Sequence, residues 1–251
     1  MVTHYIVMSS SYTLGKRIAL DYLINKNVDF EKLNIIVNKI TKECGKDVSI
    51  STHFIQTDFD SWKSVCEKDH FFKDVKVISN IEKFIELIQQ DRIIIGLDVA
   101  KYILCKVSCT HLKLEKLVYL CFADYLCKFN KELYKDDIYA YMYGPVVRSV
   151  YEKYKRYGYR EIEEDSKKLL PDRHYVMSAR SRILFAESGI EKINSIDETI
   201  RKYGDLSALD LVKLTHRDGT PWALSGRGKI RNEIISNDII KEYHHIEEYD
   251  I

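Results

Sequence analysis

The segment from Thr110 to Gly158, THLKLEKLVYLCFADYLCKFNKELYKDDIYAYMYGPVVRSVYEKYKRYG, constrains the fold of this chain more than any other. Leu114, Leu117, Val118, Cys121, Phe122 and Tyr125 recur at helical spacing and build a broad apolar stripe. Thr110 stands where a hydroxyl caps a helix, accepting a hydrogen bond from a free first-turn N–H. Ile138–Met142 is short and aromatic and reads as extended, because the residue before a proline is pushed away from helical angles. Pro145 then predicts the first position of a helix over Val146–Tyr157, and Gly158 suits its left-handed stop. Val147, Val150, Tyr151 and Tyr154 form the side of that helix expected to be buried.

The chain ahead of this segment has a different texture. Tyr5–Met8 is an apolar run ended by three serines and predicts a buried strand. A helix is expected near Gly15–Ile24 and a clearer one over Phe30–Lys42, where Leu33, Ile36, Val37 and Ile40 share a face and Gly45 follows. Val48–Ile55 alternates with period two, as a strand does, and Ile81, Phe84, Ile85 and Ile88 mark a further helix. The reading is α+β: a small α/β domain over residues 1–95, then a mainly α-helical domain over 96–251. In the second, a helix begins at Val99, Ile103 and Leu104, and Ile190, Ile193, Ile196, Ile200 and Tyr203 mark another that Gly204 stops. Ser207 caps a short helix carrying Leu209, Val212 and Leu214, and a last helical pattern covers Ile230–Tyr243. Arg160–Lys168 reads as a charged connection, and His174–Phe185 fits either a hairpin or a helix.

At 251 residues, 45% hydrophobic and 31% charged, the chain has the composition of a soluble globular protein with a substantial core. A formal net charge of +1 gives no global field to draw nucleic acid or an anionic membrane. No apolar run reaches the length of a bilayer span, and the N-terminus lacks the basic lead and long apolar core of a signal peptide. The six cysteines fall largely within apolar helical patterns, as reduced core thiols do, so the expected compartment is the cytosol.

Candidate chemistry is sparse. Cys105 and Cys109 with His111 lack the paired ligand spacing of a structural zinc site, and core packing accounts for them better. No phosphate-binding glycine loop opens a helix; the Gly226-Arg-Gly-Lys229 turn reads as a solvated loop rather than an anion site. Lys153, Lys155, Arg156 and Arg160 alternate with tyrosines, yet helical spacing divides them between faces, which argues against a nucleic-acid surface. His216 and Asp218 form a proton-transfer pair only if the turn at Gly219 folds them together; the alternative is a helix C-terminus with His216 and Arg217 facing free carbonyls and Trp222 as a packing anchor. No catalytic residue, metal or cofactor is assigned.

Several of these residues also follow one another in a familiar order. Lys113-Leu114-Glu115-Lys116-Leu117-Val118-Tyr119, then Tyr143-Gly144-Pro145-Val146-Val147 with Val150-Tyr151, then Leu214-Thr215-His216 and Trp222 resemble the Panacea domain, the SocA-like antitoxin family. That family carries a KLQKLLY-type helix, an AW-x-YGPV turn followed by a V-Y pair, and a late LTH segment near a tryptophan. Leu97–Ile103 is similar to its usual opening, so the resemblance spans about Leu97 to Tyr243. Glu115 stands where glutamine is common and Tyr141 where tryptophan is, and both keep the character of the position. The resemblance implies an antitoxin that neutralises a cognate toxin by direct protein–protein contact. It also admits an adaptor that delivers the toxin to a cytosolic protease, and a phage or mobile-element protein that interferes with host defence. The competing class is an enzyme that reverses a toxin's modification. Lys113, Lys116, Tyr119, Tyr141, Tyr143, Gly144, Pro145, Tyr151, His216 and Trp222 are the candidate partner-binding residues, with packing of the turn against the helix as the structural alternative. The N-terminal domain resembles no familiar module, and partner specificity is a role open to it.

Overall fold

Strand β1 (Val2–Ser11) turns at Tyr12–Gly15 into β2 (Lys16–Ile24), and the two run antiparallel with Tyr5 opposite Tyr22 and Val7 opposite Leu20. The helix expected near Gly15–Ile24 is therefore this strand. Its cause is visible in the residues: Ile18, Leu20 and Tyr22 fall on one face at period two, and Gly15, at φ +60°, reverses the chain tightly enough to pair it back on β1. β3 (Ser51–Thr57) pairs antiparallel with the other edge of β1, and the short β4 (Val75–Val77) lies parallel to β2, giving the order β3-β1-β2-β4.

Because side chains alternate across a strand, the sheet presents two apolar faces. Tyr5, Val7, Ile18 and Leu20 pack with Ile40 and Cys44 of α1 (Phe30–Cys44) and Phe84, Ile85 and Ile88 of α3 (Ile81–Arg92). Ile6, Met8 and Ala19 on the opposite face pack with Val65 of α2 (Trp62–Lys68) and with Phe72. His4 is fully buried among these strands. Its Nδ1 lies 2.9 Å from Asp21 Oδ1, and its Nε2 is 3.1 Å from Thr57 Oγ1, so one imidazole ties β2 and β3 to β1.

The computed structural model describes residues 1–24, 30–163, 172–230 and 232–248, with the backbone alone at 30–32 and 172–176. Two compact units result, Met1–Ile93 with Phe185–Glu187, and Ile94–Leu184 with Ser188–Ile251. The chain is thus α+β, a four-stranded mixed sheet with helices followed by a mainly helical region. The connection read over Arg160–Lys168 lies outside the described residues from 164 onward.

The second unit is arranged around α5 (His111–Phe129). Thr110 caps it as expected, its hydroxyl accepting from Lys113 N at 3.3 Å. Every residue from Leu114 to Ala123 is buried, so this helix is covered on all sides. Its neighbours are α4 (Gly96–Leu104), α6 (Arg148–Tyr154), α8 (Gly189–Tyr203), α9 (Ala208–Thr215) and α11 (Asn237–Tyr243). His174–Phe185 resolves as a helix, α7 (Asp172–Leu184), and Pro221–Leu224 forms the short α10.

Two expectations in this unit fail for a common reason, strand pairing. Pro145 does not open a helix; it sits in β6 (Gly144–Val147), which pairs antiparallel with β5 (Ile138–Tyr141), Pro145 opposite Ala140. The helix begins three residues later at Arg148. Likewise the helical pattern over Ile230–Tyr243 is helical only from Asn237, because Ala140 N donates to Glu233 O and Ile235 N to Ile138 O, adding an extended segment to β5. Ser236 then caps α11, accepting from Ile239 N.

A buried polar network closes the unit. His244 Nε2 lies 2.7 Å from Asp124 Oδ1 and its Nδ1 2.8 Å from Glu247 Oε2, which also accepts from Tyr119 OH at 2.7 Å. Burial opposes charge on His244, but hydrogen bonds to Asp124 and Glu247 outweigh it and raise its pKa to about 9.

Candidate functional site

The hairpin β5–β6 is held from below by two neighbouring side chains of α5. Lys116, with no exposed surface, donates from Nζ to Pro145 O at 2.8 Å, and Glu115 Oε2 accepts from Val147 N at 3.3 Å. One edge of β6 pairs with β5, and these two side chains serve the other edge. Burial pushes Glu115 up to about 8 against the pull of Lys116 and the Val147 N–H. The same burial draws Lys116 down to about 8 against Glu115 and Glu247. Gly144, at φ +108°, passes directly over the lysine: a Cβ there would lie 2.8 Å from Lys116 Cε and 3.2 Å from Thr215 Oγ1. The lysine, the glycine and the threonine therefore fit together as one packed unit.

Behind the hairpin, Trp222 Nε1 donates to Tyr141 O at 2.8 Å, and the His216 ring stacks on the indole with centroids 3.6 Å apart. Burial, then the Lys116 ammonium, lowers the pKa of His216. Asp218 instead pairs with Arg227, so His216 and Asp218 form no proton-transfer couple. Arg217 donates to the carbonyls of Ile246 and Glu248. The thiols of Cys44, Cys66, Cys105, Cys109 and Cys127 each donate to a main-chain carbonyl. Burial raises the pKa of Cys121 well above a free thiol and that of Cys127 to about 11. Thr57, His4 and Asp21 lie in the order of a catalytic triad, but Thr57 is buried and its hydroxyl donates to Phe59 O at 2.6 Å, so the chain ties strands together instead. Among the described residues no group of three or more His, Cys, Asp or Glu side chains is placed to hold a metal ion. No helix among them is long and apolar enough to cross a membrane.

In front of the hairpin lies a cleft of about 450 Å³. The first turn of α5 forms one wall with His111 and Leu112, the hairpin supplies Tyr141, Met142 and Tyr143, α6 adds Tyr151, and the turn at Gly228–Ile230 closes it. Glu115 and Lys116 lie at its floor. Tyr141 and Tyr151 meet edge to face, centroids 5.5 Å apart. Gly228, at φ +69°, approaches so closely that a Cβ would lie 2.6 Å from the Tyr141 carbonyl carbon and the Met142 nitrogen. Met142, Tyr143 and Ile230 are 69%, 65% and 56% exposed, three large apolar side chains around one opening.

Residues 114–223 match the family model described as antitoxin SocA-like, Panacea domain. No curated protein and no solved structure matches the chain. The matched residues include α5 from its second turn, the hairpin, α6 and the His216–Trp222 stack, which is most of what builds the cleft. Of the residues singled out from the sequence, Lys116, Tyr141, Tyr143 and Tyr151 line the cleft, Gly144 and Pro145 belong to β6 of the hairpin itself, and Trp222, with His216 stacked on it, holds the hairpin from behind. Lys113 is half-buried and outside the cleft, and Tyr119 is fully buried in the His244 network. Lys113 and Lys116 therefore do not present one basic face. Sequence reasoning missed His111, Leu112, Met142, Gly228 and Ile230. Met142 sat inside the aromatic motif, and the two glycines around Arg227 signalled a turn; only pairing with β5 brings that turn to the hairpin.

Proposed function

We propose that this protein is an antitoxin that neutralises a cognate toxin by binding it directly, without catalysis, through the cleft face of its Panacea region. The observation that carries this reading is the cluster of Met142, Tyr143 and Ile230 around the cleft mouth. Aromatic and methionine side chains exposed beside a preformed pocket are the composition of an interface core, and they lose little rotamer freedom on docking. The family match supplies the class of partner. The rigid support under the hairpin fits the same reading, since a docking surface held in its bound shape binds with less ordering cost.

The test is size-exclusion chromatography with light scattering on the protein co-expressed with the product of the adjacent gene. A complex of defined stoichiometry is expected, lost in Tyr143→Ala and Met142→Asp, whose helical circular dichroism should be unchanged because both positions are exposed. Two separate peaks despite rescue of growth would reject sequestration in favour of catalysis or delivery to a protease.

A further inference from the structure

Folded proteins rarely leave a long edge strand open, because its outward N–H and C=O groups pair with any strand that arrives. The four-stranded sheet treats its two edges differently. β4 is three residues long and carries the exposed Lys76 at its middle, so it offers little to a further strand. β3 is the opposite case. Its residues Ser51–Thr57 pair with β1 one for one, from Met8 to Val2 without a bulge, and none is charged or a proline. Among the described residues its backbone bonds to β1 alone, so the outer edge is unpaired. Ser51, Thr52, Phe54 and Gln56 are exposed along it. α2, which follows β3, packs under Ile6, Met8 and Ala19 on a face of the sheet.

The residues of this edge decide which strand fits it. With no charge on β3, neither an acidic nor a basic strand is selected, and nothing repels an identical one. Laid antiparallel on itself about Phe54, the strand sets Ser51 opposite Thr57, Thr52 opposite Gln56 and His53 opposite Ile55. Phe54 then meets its own copy at the two-fold axis. Its ring lies 5.0 Å from that of Tyr5 on β1, yet the residue is still 53% exposed. Self-pairing covers that open side. It lines up Tyr5 and Phe54 with the same two rings of the second copy, a cross-strand aromatic contact of the kind that stabilises sheets. Because alternate antiparallel pairs exchange two hydrogen bonds each, the full strand supplies about six to eight. That is within the usual range for a specific interface.

We infer that two copies of this chain associate through β3, antiparallel about Phe54, joining their four-stranded sheets into one. The inference does not depend on the reading of the cleft.

The test is light scattering on the full chain as it elutes from size exclusion, over a series of loading concentrations. A mass close to twice 29.5 kDa is expected, falling toward the monomer on dilution. Two double variants then examine the register. Thr52→Lys with Gln56→Lys sets lysine opposite lysine at two places related by the two-fold axis, and should weaken the dimer about tenfold or more. Thr52→Lys with Gln56→Glu sets opposite charges at the same places, and should hold the dimer at least as tightly as the parent. Both positions are exposed, so both variants should keep the circular dichroism of the parent. A chain that is monomeric at high micromolar concentration overturns the inference. So does a dimer that the two double variants affect equally, since its interface or register is then a different one. A monomeric chain whose toxin complex is lost in the double-lysine variant also overturns it, and gives the edge to a strand of the toxin.

Discussion

Replacing His244 with glutamine should remove a pH-dependent share of stability. The imidazole is 3% exposed and lies between Asp124 and Glu247 at 2.7 and 2.8 Å. Its pKa of about 9 in the folded protein, against an ordinary 6.5, means that folding favours the protonated ring. The gap corresponds to roughly 3 kcal/mol. The folded state binds this proton more tightly than the unfolded chain, so the contribution is fully present below about pH 6.5 and is lost as pH rises through about 9. Glu247 works against the full figure: burial raises its pKa, and in the variant it can take up a proton and recover part of the loss. The expected result is His244→Gln less stable than the parent by about 1–3 kcal/mol at pH 6.5, with the difference shrinking below about 1 kcal/mol at pH 9.5. Urea unfolding at both pH values, followed by helical circular dichroism, measures it. Glu115 and Lys116 titrate in the same range but are common to both proteins and cancel in the comparison. A difference that stays constant from pH 6.5 to 9.5 would refute the idea that a charged His244 holds the network.

Gly144→Ala should cost about 2 kcal/mol or more, since it combines a positive φ with a collision on Lys116, whereas Gly158→Ala, with open space around it, should cost about 1 kcal/mol; equal losses in thermal melts would mean that the lysine yields freely. Glu115→Gln keeps an acceptor for Val147 N and removes a carboxyl that burial has raised to about 8. An acid raised in this way makes stability fall as pH climbs from about 4.5 to 8, so the variant should gain on the parent across that window, and a loss of more than about 2 kcal/mol at pH 8 would show that the ionised group is required.

What was legible in the sequence was local. The apolar stripe of α5, the hydroxyl caps Thr110 and Ser207, and the extended reading of Ile138–Met142 depend on neighbours within a few residues; the first two took their expected form, and the third did so over Ile138–Tyr141, with Met142 in the turn. What was missed depended on partners far along the chain. Pro145 fixes its own φ equally well in a strand or a helix, and pairing opposite Ala140 decides between them. Ile18, Leu20 and Tyr22 already alternated, but the strand becomes evident only once β1 lies beside it. Lys116 misled for a different reason. A lysine is ordinarily solvated, and only the burial of α5 on every side, together with a glycine 28 positions downstream, turns it inward.

That inward turn accounts for why two ionisable side chains belong at the centre of this unit. A two-stranded hairpin leaves one edge of each strand without hydrogen bonds, and in a buried position that edge is costly. Lys116 supplies a donor for Pro145 O and Glu115 an acceptor for Val147 N, so α5 takes the place of a third strand along β6. The extended segment at Glu233–Ile235 does the same for β5. With both edges served, Tyr141, Met142 and Tyr143 stand at the end of a hairpin bonded along both sides, while glycine at 144 lets the hairpin close on Lys116 and glycine at 228 lets the following turn close on Tyr141 and Met142. Packing therefore accounts for the buried part of the Lys–Tyr-Gly-Pro motif without excluding the docking role proposed for its exposed part. The residues that are buried set the shape of the cleft that Tyr141, Tyr143 and Tyr151 line.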